Sequence, residues 1–134
     1  MSAMSHWKQF NNNPVNRNVG DCSVRAVSVA LGVDWETAFA LITQNAFQMG
    51  DMPSSNAVWG SVLRQHGFRR SIIPNSCPDC YTMEQFAEDH PRGIYVVGTG
   101  NHVVCVKDGL IMDSWDSSLE VPIFYWWRND NGTV

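Results

Sequence analysis

His102-Val103-Val104-Cys105-Val106-Lys107-Asp108-Gly109-Leu110-Ile111-Met112-Asp113 reads as two short strands joined by an Asp-Gly turn. Asp-Gly is a strong hairpin signal because the tight turn that matches strand twist needs two residues able to take positive φ. With Asp108 and Gly109 as the loop, Lys107 opposes Leu110 and, counting back, Val104 opposes Asp113. Side chains alternate along a strand, so His102 and Val104 share a face and Asp113 lies within diagonal reach of His102. The apolar run Ile94-Tyr95-Val96-Val97 and the segment Val121–Trp127 read as further strands.

Upstream of the hairpin the apolar spacing becomes helical. Asp21 is placed to cap a helix over 22–31, with Ala26, Val27, Ala30 and Leu31 as its apolar stripe and Gly32 as its stop. Asp34 opens a second helix, on which Trp35, Ala38, Phe39 and Ile42 share a face. A third spans about 55–66 and presents Val58, Trp59, Val62 and Leu63. Thr82 and Gln85 form a capping box for a fourth, which carries Met83, Phe86 and Ala87 and is closed by Pro91. Residues 1–20 are polar, with four asparagines among 11–16, and read as an irregular arm anchored by Trp7 and Phe10. Helices first and an antiparallel sheet second predict one α+β domain over residues 1–134.

Composition narrows the function classes. A 44% apolar content and six tryptophans favour a packed core over disorder. A net charge of −4 without a Lys/Arg cluster argues against nucleic acid as a partner. No run of 18 apolar residues and no charged-then-apolar leader is found, so no membrane span is expected. The cysteines at 22, 77, 80 and 105 form no extracellular framework, which suits a reduced, cytoplasmic chain. Cys77 and Cys80 make half a zinc site, but no histidine stands at a standard spacing to complete it, so no metal or other cofactor is expected. The aromatic run Phe124-Tyr125-Trp126-Trp127 reads as a half-buried strand, with a protein-partner surface as the alternative.

The chemistry centres on Gly20-Asp21-Cys22-Ser23-Val24-Arg25-Ala26. A thiol in the first turn of a helix sits near unpaired backbone N–H groups and the positive end of the helix dipole, which favours thiolate. Cys22 is therefore the candidate nucleophile, His102 the candidate base and Asp113 the group that orients it. Trp115 follows with the same alternation and could shelter the His–Asp contact, while Asp116 is the alternative orienting residue. Spacing alone does not bring Cys22 to the hairpin, since that contact is long-range.

The order Cys, His, Asp and the Asp113-Ser114-Trp115 run together resemble the papain-like cysteine peptidase superfamily. The Asp-Cys opening and small size are closer in style to small bacterial and phage papain-like proteins and to the bacteriocin-leader-processing (double-glycine) peptidases. Those leader peptidases often carry Asp-Cys-Gly, where this chain has Asp21-Cys22-Ser23. The resemblance implies a peptide or protein substrate, an amide hydrolysis through a covalent thioester, and no cofactor. It also implies an oxyanion-hole amide six residues before the nucleophile, which puts Asn16 in that place, with Asn18 as the alternative. Other readings are a non-catalytic binding module that keeps the fold, and a cell-wall peptide hydrolase. The cell-wall group opens Asp-Cys-Ser-Gly and usually uses a further histidine downstream, whereas no histidine follows His102.

Overall fold

Asp108 and Gly109 both take the left-handed backbone, at φ 50° and 78°, and the hairpin that they close carries the expected register. In the computed structural model, which describes residues 5–17, 19–74 and 81–128, Lys107 pairs with Leu110, Val106 with Ile111 and Cys105 with Met112. In chain order the elements are β1 (Trp7–Gln9), α1 (Cys22–Leu31), α2 (Trp35–Met49), α3 (Asn56–Gln65) and β2 (Arg69–Ile72). Then come α4 (Met83–Asp89), β3 (Ile94–Gly98), β4 (Val103–Lys107), β5 (Leu110–Asp113) and β6 (Phe124–Trp127). The protein is α+β; the described residues form four helices and a six-stranded sheet in the order β1-β5-β4-β3-β6-β2.

The sheet is mixed, which corrects the expectation of a purely antiparallel one. Trp7, Lys8 and Gln9 of the N-terminal arm pair in parallel with Ile111, Met112 and Asp113. The arm is thus irregular only in part. Trp-Lys-Gln has no strand signature of its own, and the open edge of β5 recruits it. A second strand that the apolar pattern did not suggest, β2, pairs antiparallel with β6 through Arg69↔Trp127 to Ile72↔Phe124.

Strand alternation divides the core between the two sheet faces. Val96, Val103, Cys105, Phe124 and Trp126 pack with Val27, Ala30, Ile42, Trp59 and Leu63 of the first three helices. Val97, Val104, Val106 and Ile111 pack with Met83, Phe86 and Ala87 of α4. The small side chains of Ala26 and Ala30, 2% and 1% exposed, let α1 lie close against β3 and β4. On α2, Ala38 and Ile42 are buried as expected, but Phe39 is 43% exposed and stacks on Trp35. The aromatic run expected as a candidate partner surface forms β6, an inner strand paired on both edges, with Phe124 and Trp126 in the core.

Caps behave unevenly. Asp34 accepts from the Thr37 N–H at 2.8 Å, and Thr82 accepts from the Gln85 N–H at 3.2 Å. The box at Thr82 is only half made, because the Gln85 amide turns to Glu88 and Asp89 instead. Asp21 stands at the N-cap of α1, yet its side chain makes no cap hydrogen bond. No single helix among the described residues is long and apolar enough to cross a membrane.

Gly98 shows how tightly the sheet is filled beside the helices. A Cβ there would lie 2.1 Å from Cζ of Phe124, so Gly98→Ala must displace that ring. Overpacking of this kind costs about 1–3 kcal/mol, and a urea melt is expected to show a loss in that range. An unchanged midpoint would mean that the ring yields freely.

Candidate active site

The site is assembled from the start of α1 and the two strands of the Asp-Gly hairpin. Gly20 and Asp21 end the arm, and Cys22 is the first helical residue. Its thiol shares a cleft with His102 and Val103, and both lower its pKa. On the other side of the ring, His102 Nε2 lies 2.7 Å from Asp113 Oδ2, which leaves Nδ1 for the thiol. The structure therefore brings together Cys22, His102 and Asp113, from positions far apart in the chain.

Asp113 is 1% exposed and is held on both oxygens. Oδ2 also accepts from Ser117 Oγ at 2.6 Å, and Oδ1 accepts from the Ser114 N–H at 2.8 Å. Arg25 Nη2 reaches the same Oδ1 at 3.3 Å. The carbonyl of Asp113 accepts from the Phe10 N–H at 2.7 Å and from Trp7 Nε1 at 3.0 Å, so the arm braces the residue from its backbone side.

Arg25 links this carboxylate to a second one. Its Nη1 pairs with Asp21 Oδ1 one turn earlier on the helix, and Asp21 Oδ2 accepts from Trp35 Nε1 at 2.9 Å. All three charged groups are buried, with side-chain exposures of 6% for Arg25, 4% for Asp21 and 1% for Asp113. Asp21 does not cap α1 because this inward pairing takes its carboxylate. The first-turn N–H groups of α1 are consequently left without a side-chain cap.

The electrostatics favour a charged pair. Burial would lower the His102 pKa, but hydrogen bonds to Asp113 and Cys22 outweigh it and hold the imidazole up at about 9. Burial would raise the Cys22 thiol; the His102 hydrogen bond, the Val103 amide and the positive charges of His102 and Arg25 bring it below the ordinary value instead. Asp113 is likewise pushed up by burial and brought down further by His102, Ser117 and Ser114, so it stays ionised. Both shifts run in the direction that favours a thiolate facing an imidazolium.

Trp115 lies over the imidazole, with ring centroids 4.8 Å apart, and remains 43% exposed. It covers one face of His102 as a partial lid. Asp116 is turned away, and its carboxylate accepts from the Ser118 N–H at 3.1 Å. Asn16 is exposed and does not line the cleft. It sits at φ 54° in a loop that binds its own backbone, with Asn11 Oδ1 accepting from the Asn13 N–H and Asn13 Oδ1 accepting from Val15 and Arg17. Asn18, Cys77 and Cys80 lie outside the described residues. Among the described residues, no group of three or more His, Cys, Asp or Glu is arranged to hold a metal.

No family model, curated protein or solved structure matches the chain. The function has to be read from the chemistry of the cleft itself.

That cleft encloses about 230 Å³ beside Cys22 and His102. Its walls include Ser54, Asn56, Thr99 and Asn101, with Trp59 and Phe124 among its apolar lining. Among these lining residues, the side-chain amides are those of Asn56 and Asn101. Residue spacing could not nominate them, because their segments meet Cys22 only through the fold. Arg25 was more accessible: a charged residue inside an apolar stripe, four residues after Asp21, is the spacing of a helical ion pair.

Proposed function

We propose that this protein is a papain-like cysteine peptidase or amidase that works through Cys22, His102 and Asp113. The observation that carries this reading is one chain of contacts. A thiol at a helix start shares a cleft with an imidazole that lowers its pKa, and a buried carboxylate holds Nε2 of that imidazole. A structural cysteine needs neither the imidazole nor the carboxylate behind it.

In the proposed reaction the Cys22 thiolate attacks an amide carbon, and the carbonyl oxygen becomes an oxyanion. The Cys22 backbone N–H, in the uncapped first turn of α1, is one donor to that oxygen. Asn56 and Asn101 replace Asn16 as the candidates for the second, because they line the cleft. Losing such a donor costs about 3 kcal/mol in the transition state. The C–N bond then breaks as His102 gives its proton to the leaving amine, producing a thioester. Water, deprotonated by His102, releases the acid and regenerates the thiolate. Asp113 holds the ring and stabilises its positive charge without carrying the proton.

The test is hydrolysis. Incubating the protein with a mixed peptide pool and reading new termini by mass spectrometry is expected to show cleavage that Cys22→Ala abolishes. The reading fails if no peptide is cleaved and iodoacetamide labels Cys22 no faster than a free thiol at neutral pH.

A further inference from the structure

A second groove of about 260 Å³ opens beside the catalytic cleft, and Asn56 lines both. Its other walls are Ala57, Gly60, Arg64, Arg70 and Trp126. In a chain whose net charge is −4, this groove has two guanidinium groups and no acidic lining residue. Asn56, Gly60 and Arg64 recur every four residues on α3 and so share one helix face. Gly60 is the low point of that wall, since a Cβ there would lie 2.8 Å from the Trp126 ring.

Both arginines are held in a particular way. The guanidinium of Arg64 lies over Trp126 at 5.1 Å, and that of Arg70 lies over Phe124 at 4.5 Å. Phe124 in turn lines the catalytic cleft. A guanidinium resting its face on an aromatic ring keeps its in-plane N–H donors available, and those donors match a carboxylate in a forked geometry. Among the described residues neither side chain has an ion pair or a hydrogen bond of its own. Structural arginines in this protein look different: Arg25 spans two carboxylates.

We infer that the groove lined by Arg64 and Arg70 is a substrate subsite for a carboxylate, so that the protein prefers peptides with an acidic group a few residues from the bond cleaved. This rests on the peptidase reading for its orientation, but the binding can be measured apart from catalysis. Asn56 and Arg64 are eight positions apart on a helix that rises about 1.5 Å per residue, roughly 12 Å in all. An extended peptide covers that distance in about three to four residues. The carboxylate could belong to an Asp or Glu side chain or to a peptide C-terminus.

The experiment uses Cys22→Ser protein and fluorescent octapeptides of Gly, Ser and Ala. Each carries one Glu or, in its matched partner, one Gln, moved through every position, and one further pair ends in a free acid or an amide. Anisotropy titrations are expected to show about tenfold tighter binding of the Glu peptide at one or two adjacent positions. The preference should shrink between about 50 and about 500 mM salt and vanish in the Arg64→Gln/Arg70→Gln double variant. A preference only in the acid/amide pair would assign the carboxylate to the C-terminus and supports the inference equally. Equal binding in every pair, a preference that survives the double variant, or no binding by any peptide would overturn it. Both substitutions are at exposed positions, and an unchanged melting temperature would confirm that the fold is intact. If the unmodified protein cleaves nothing while the Glu preference persists, the peptidase reading fails and the subsite stands. Cleavage with no acidic preference has the opposite meaning.

Discussion

Replacing Arg25 with leucine is expected to destabilise the protein by about 3–5 kcal/mol. The side chain is 6% exposed and lies between Asp21 and Asp113, which are 4% and 1% exposed. Removing it leaves two carboxylates in the interior with one fewer cation, and His102 must then serve Asp113 without it. For a domain of this size each kcal/mol shifts the melting point by roughly 3–6 °C, so a fall of about 10 °C or more is expected. The acid limb should move as well. Asp113 is held below the ordinary carboxylate range, so its contribution is present above that range and lost as pH falls through the depressed value. Without Arg25 that loss should begin at higher pH. Arg25→Lys is expected to be intermediate, because an ammonium lacks the fork that reaches both acids. A thermal melt of Arg25→Leu within about 1 kcal/mol of the parent would show that the buried pair contributes little.

The second large effect concerns the thiol. In the parent protein, alkylation of Cys22 by iodoacetamide should begin as pH rises through a thiol pKa below the ordinary value and then plateau. Above about 9 the imidazole loses its proton; alkylation continues because the thiolate remains, while under the proposed function peptide turnover falls because the leaving amine loses its acid. In His102→Ala the burial of Cys22 is no longer opposed by the imidazole. A thiol with the free value of about 8.5 is only about 0.3% ionised at pH 6. The greater nucleophilicity of a more basic thiolate offsets part of that, leaving a net loss of about tenfold or more at pH 6. The variant's rate should climb about tenfold per pH unit through neutrality. Superimposable profiles for parent and variant would sink the ion pair.

What the amino-acid pattern disclosed, and what it hid, follows from the range of the interactions. The Asp108-Gly109 turn is local, and it carried the register that puts Asp113 rather than Asp116 against His102. The start of α1 at Cys22 was legible for the same reason. β1 and β2 were not, since Trp-Lys-Gln and Arg-Arg-Ser-Ile lack an alternating apolar signature and become strands only because an edge is waiting. Asp21 was misassigned as a cap because a buried arginine competes for it. Asn16 occupied the expected position in the chain, but the Asn11–Arg17 loop satisfies its own backbone and keeps Asn16 exposed. The amides that do line the cleft, Asn56 and Asn101, come from elements that are distant in sequence.

The brace between the arm and β5 has a temporal side. Trp7 and Asp113 are 106 residues apart, and Arg25 and Asp113 are 88 apart. On a ribosome, the segment carrying Cys22 emerges well before the strands that supply its imidazole and carboxylate. Until they arrive, Cys22 has neither group to ionise it and is an ordinary thiol. Contacts of such range are among the slow ones in folding. If the proposed function holds, the thiol of Cys22 is therefore expected to gain its reactivity late, once the hairpin has docked on α1.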